Sequence, residues 1–167
     1  MFFCKFVIRL PVVRCYMEKV IISNEIFFGE VLRMLRDGHN VTIPVKGVSM
    51  LPFIRGDRDS VVLEPAGRAR ELAPGDIVLF RYGGRFILHR ILKINADVAE
   101  IRGDGAVSKE HCRLCDIYGR VVRILRKGAV PVDPYSCSSR MKVWLWLHLP
   151  LRKYVLAVYR RLCGLHA

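Results

Sequence analysis

Residues suited to acyl-transfer chemistry follow one another in the middle of the chain. A serine stands in the glycine-flanked turn Gly47-Val48-Ser49, a histidine ends the apolar run Phe86-Ile87-Leu88-His89, and an aspartate sits in the turn Arg102-Gly103-Asp104-Gly105. A serine hydroxyl is a weak nucleophile near neutral pH and needs a base within hydrogen-bond reach. Histidine suits that task because its ordinary pKa lies close to working pH. The imidazole in turn needs an acid that fixes its tautomer and orientation. Asp104, held between glycines soon after the histidine strand, is the first choice for that acid. Glu110, in a polar stretch read as a loop, is the second. Gly47 leaves room for a substrate backbone beside Ser49, and the Ser49 N–H is a candidate oxyanion donor.

Each of these residues also has a purely structural reading. A Gly-x-Ser turn is usually only a turn, a histidine on an apolar strand is often a satisfied core residue, and an aspartate after glycine often caps a turn. The elements between them must therefore bring the three together if they are to act as a unit. Glu25 to Arg36 has apolar residues at spacings of three and four, a cap at Ser23 or Asn24, and a stop at Asp37-Gly38, which predicts a short amphipathic helix. Val41–Val45, Arg58–Leu63, Ile77–Arg81, Arg85–Ile94, Val98–Arg102 and Ile117–Leu125 read as strands, with Gly83-Gly84 as a hairpin turn. The expected fold is mainly β: a curved antiparallel β-domain over residues 20–131, with a short N-terminal helix. Residues 1–19 are an extension of uncertain role, with Met17 as a second candidate start. Residues 132–167 form a Pro-containing linker and a basic tail.

The motifs in this order resemble signal peptidases of the Ser-His type, found in archaea and the endoplasmic reticulum. Ser49-Met50-Leu51-Pro52 matches the family's Ser-Met-x-Pro, and Arg55-Gly56-Asp57 matches its Arg/Lys-Gly-Asp turn. Gly75-Asp76-Ile77-Val78, His89-Arg90-Ile91, Gly103-Asp104-Gly105 and Gly119-Arg120 match the family's following segments in turn. The resemblance covers roughly residues 40–127 and implies a β-fold shared with LexA-type repressor domains. It further implies a serine endopeptidase with Ser49 as nucleophile, His89 as general base and Asp104 as the carried-over acid. Such enzymes bind an extended peptide as an added strand and accept small residues one and three positions before the cut. Val45, Gly47, Met50 and Phe80 are the expected walls of the cleft. No metal or organic cofactor is needed. In the family the third acid often lies several residues beyond the Gly-Asp turn, where this chain offers Glu110. The family's transmembrane helix before the serine and the long accessory β-insertion of its bacterial members have no counterpart here. A dedicated processing or export peptidase acting on a small peptide is the alternative enzyme reading, and a catalytically inactive domain is another.

Charge points to a surface. The formal net charge is +13, and residues 120–167 hold ten Lys or Arg against the single acid Asp133. Leu151, Tyr154, Val155, Val158 and Leu162 share one helical face, with Arg152, Lys153, Arg160 and Arg161 on the other and Trp144 and Trp146 just upstream. A basic amphipathic helix beside tryptophans predicts peripheral attachment to an anionic membrane. No run of about 20 apolar residues predicts a bilayer span. The charge leaves a nucleic-acid-binding module as a further alternative reading, but no recognition motif accompanies it, so a nucleic-acid partner is not expected. The six cysteines show no framework, which fits a reduced, cytosol-facing protein. His111-Cys112-Arg113-Leu114-Cys115 offers half a zinc site and lacks a second ligand pair.

Overall fold

Short apolar runs, bounded by turn residues, build the strands that carry the site. The computed structural model describes residues 6–7, 21–22, 24–68, 70–127 and 129–162. Ser23 and most of the extension 1–19 lie outside the described residues. Within them, β1 (Phe6–Val7) pairs antiparallel with β2 (Ile21–Ile22). Helix α1 (Asn24–Arg36) buries Phe28, Val31 and Leu35, the stripe its periodicity predicts. It stops at Gly38, whose φ of 83° suits a glycine and lets its N–H reach the Leu35 carbonyl at 3.0 Å.

The remaining strands form one antiparallel sheet: β3 (Val41–Pro44), β4 (Ser60–Pro65), β5 (Ile77–Tyr82), β6 (Arg85–Asn95), β7 (Val98–Arg102), β8 (Glu110–Arg113), β9 (Ile117–Arg126) and β10 (Val130–Val132). Their order is β3-β4-β9-β5-β6-β7-β8, with β10 beside the far half of β9. Register shifts at Val62/Leu63, Leu79/Phe80 and Ile91/Lys93 bend the sheet. Gly83 and Gly84, both at positive φ, close the β5–β6 hairpin as expected.

Strand β5 lies between two cores. Ile77 and Leu79 join a cluster roofed by α1, while Val78 and Phe80 join a second cluster with Ile91, Ala99, Ile101 and Ile117. Val78 stands opposite His89, and Ile77 opposite Arg90. Directly opposed residues share a face and successive residues do not. His89 therefore lies on the face of the second core, and Arg90 on the face of the first.

Three expectations need correcting. Glu110 is not in a mobile loop: Glu110–Arg113 is the edge strand β8, paired with β7. The stretch is polar and only Cys112 is buried, so it lacks an apolar strand signature. The short β10 also falls in what reads as a linker. The tail is not one helix but two, α2 (Cys137–His148) and α3 (Arg152–Leu162), separated at Pro150, which cannot donate to a continuing helix. Finally, of the apolar stripe, Leu151 just before α3 and Tyr154, Val155 and Val158 within it are exposed, while the inner side of α3 buries Leu156. Arg152, on that inner side, donates from Nη2 to the Ala106 carbonyl at 2.8 Å.

Candidate active site

The Ser49 turn is a loop tied at its base. The Val45 N–H donates to the Asp59 carbonyl at 3.0 Å, Asp57 N–H to Val45 at 2.9 Å, and Gly56 N–H to Gly47 at 3.2 Å. Gly47 has a φ of 82°, and a Cβ on Gly56 would collide with the Gly47 backbone, so both positions call for glycine. The buried Asp59 carboxylate accepts from the Arg55 N–H at 2.9 Å and from Arg58 at 2.7 Å, and its second oxygen takes the Lys127 N–H at 3.3 Å. Burial alone would raise its pKa, but these donors outweigh burial and hold the carboxyl below its ordinary value. Ser49 is half-buried within the tied loop. Among the described residues its backbone N–H donates no hydrogen bond, which leaves it free for an oxyanion.

The Gly103–Gly105 turn packs directly on this loop. The Gly105 N–H donates to the Ser49 carbonyl at 2.8 Å. A Cβ on Gly103 would run into that same carbonyl and stand 2.9 Å from His89 Nε2. Gly103 thus marks the place where the serine backbone and the imidazole meet, with no room for a side chain between them.

His89 is 5 % exposed, with its ring 6.1 Å from that of Phe80. Its Nδ1 lies 2.7 Å from Glu110 Oε2. An ionised carboxylate only accepts, so this contact calls for the proton on Nδ1, and in the neutral imidazole the lone pair is then on Nε2. Nε2 is buried and has no hydrogen-bond partner among the described residues. The ring is thus held in the tautomer a general base requires. Ser49 and Nε2 are not hydrogen-bonded to each other in this state; such contacts commonly tighten only when substrate binds.

Asp104 is not the acid on the imidazole, which corrects the first expectation. Its carboxylate is bound bidentately by Arg90, Nε to Oδ1 at 2.8 Å and Nη2 to Oδ2 at 2.7 Å, and Arg90 Nη1 donates to the Gly75 carbonyl at 2.8 Å. Both side chains are buried. The reason is the alternation along β6. Glu110 stands opposite Ile101, which stands opposite Ile91, and that row lies on the face of His89. Arg90 points to the other face and takes Asp104 with it.

Burial also corrects the expected cleft walls. Val45, Met50 and Phe80 are 7 %, 2 % and 0 % exposed and belong to the cores; Gly47 alone of the four is exposed. A cleft of about 590 Å³ lies elsewhere, between Gly75, Arg90, Leu92 and α2, and neither Ser49 nor His89 lines it. The half zinc site does not assemble. Burial, then the nearby Asp116, pushes the Cys112 thiol up to about 11, and His111 turns outward toward Glu100. Among the described residues no three His, Cys, Asp or Glu side chains gather around a common point. No protein-family model matches the chain, and no curated protein matches it.

Proposed function

We propose that the chain is a serine endopeptidase of the signal-peptidase kind, with Ser49 as nucleophile, His89 as general base and Glu110 as the acid that orients it. One observation carries this reading: an imidazole fixed by a carboxylate at Nδ1 presents an unpartnered Nε2 beside the turn that bears Ser49. In acylation, Ser49 Oγ attacks the scissile carbonyl while Nε2 takes its proton. The Ser49 N–H meets the oxyanion. As the C–N bond breaks, Nε2 returns the proton to the leaving amine. Water then attacks the acyl-serine by the same base and frees the new carboxylate. Among the described residues the edge strand β3 pairs on one side only and runs into the Ser49 loop, which supports a peptide substrate bound as an added strand. Leaders or small peptides with small residues near the cut are the substrate class. An activated ester such as p-nitrophenyl acetate tests the chemistry without a known peptide. Mass mapping is expected to find one acetyl group on Ser49 and p-nitrophenol released, with neither event at this position in Ser49→Ala. No acetyl on Ser49 in the parent chain would sink the reading.

We also place the protein at an anionic membrane surface. Among the described residues no helix is long and apolar enough to cross a membrane. Trp144, Leu145, Val155 and Val158, on helices that carry no acidic residue, and Leu151 between them are exposed. Each Lys or Arg held near such a surface adds about 1 kcal/mol. The chain is expected to sediment with vesicles containing phosphatidylserine and to stay in solution with phosphatidylcholine alone. Equal binding to both, or to neither, contradicts this placement.

A further inference from the structure

We propose that Trp146 is a positioning residue: from α2 it holds the Ser49 loop and the Gly103–Gly105 turn together, and so sets the approach of serine to histidine. The proposal rests on the peptidase reading and assigns the tail a role in that site. The indole Nε1–H donates to the Asp104 carbonyl at 2.8 Å, the middle residue of the turn that abuts His89 Nε2. The face of one ring meets the edge of the other between Trp146 and Phe53, with centroids 6.5 Å apart and planes at 89°. Phe53 belongs to the Ser49 loop, where its N–H donates to the Met50 carbonyl at 3.1 Å. One side chain therefore touches both halves of the site. Arg152 adds a second tie from α3, at the Ala106 carbonyl. Trp144, two residues earlier, is 58 % exposed and takes no part, so the two tryptophans divide into one inward and one outward.

The leverage comes from the lack of slack at Gly103. No side chain fits between Ser49 and the imidazole, so a shift of this turn is passed to both. A misplacement of about 1 Å can cost about 100-fold in rate. Trp146→Phe keeps a ring against Phe53 and removes the N–H donor. In the full chain, acetylation of Ser49 by p-nitrophenyl acetate is followed against ester concentration, which separates ester affinity from the acylation step. The acylation step is expected to slow about 10- to 100-fold, with ester affinity and melting temperature close to the parent and Trp144→Phe unchanged. Acylation at the parental rate in folded Trp146→Phe overturns the proposal. If that variant does not fold, Phe53→Leu is measured in the same way: slowing of the acylation step supports the clamp, and a parental rate overturns it. A parent chain that is never acetylated on Ser49 defeats the peptidase reading, and the clamp falls with it.

Discussion

His89→Ala is expected to slow acylation of Ser49 by about 10⁴-fold or more, the scale on which serine hydrolases lose rate when the base is removed. The imidazole Nε2 is buried and unpartnered among the described residues, beside the Gly103 turn that packs on the Ser49 carbonyl. Without it the hydroxyl must lose its proton to water. The fold should persist, because the strand keeps its backbone pairing with β5 and β7 and the second core keeps Phe80, Ile91 and Ile101. The release of p-nitrophenol with the acetyl group mapped to Ser49 measures the loss, and circular dichroism checks the fold. A folded variant that still acylates within tenfold of the parent would remove His89 from the mechanism.

The second large effect separates the two acids. Glu110→Gln should lower the acylation rate by about 10²- to 10⁴-fold with little change in stability. Its amide no longer balances the imidazolium that forms as Nε2 takes the proton, and it can turn a donor toward Nδ1 and favour the wrong tautomer. Asp104→Asn should do the reverse. It leaves the buried Arg90 guanidinium without its counter-charge, which costs about 3 kcal/mol or more in folding. Per folded molecule, its acylation rate should fall less than that of Glu110→Gln, through the turn that Asp104 shares with Gly103. Urea unfolding and acylation kinetics on both variants decide the matter. A rate defect in Asp104→Asn larger than that of Glu110→Gln, at equal folded fraction, would return Asp104 to the role of orienting acid.

Local signals in the sequence account for most of the sheet. Short runs rich in apolar and β-branched residues mark β3 to β7 and β9, Gly83-Gly84 marks the β5–β6 hairpin, and Gly38 marks the end of α1. Ser49 and His89 also stand out, as hydroxyl and imidazole at the ends of recognisable elements. The acid does not, because its assignment depends on pairing between β7 and β8, and Glu-His-Cys-Arg shows only one buried side chain from which to infer a strand. An arginine inside an apolar strand must be matched by a carboxylate if it is buried, and Asp104 is the one that pairs with Arg90. The tail resists reading for a similar reason. Its apolar periodicity is real, yet the face that docks is set by Leu156 and Arg152 meeting the domain, a tertiary choice that no helical wheel contains.

Strand β6 sets an imidazole held by Glu110 and a buried ion pair on consecutive residues, and this makes its length a matter of odd and even. One residue lost between the Gly83-Gly84 turn and His89 would bring the guanidinium to the position facing Glu110, and one residue added would bring the imidazole to the position facing Asp104; either change breaks both the imidazole–Glu110 contact and the buried ion pair. A change of two residues would restore each group to its own side. Variation in that arm of the hairpin is therefore constrained by parity before it is constrained by residue identity.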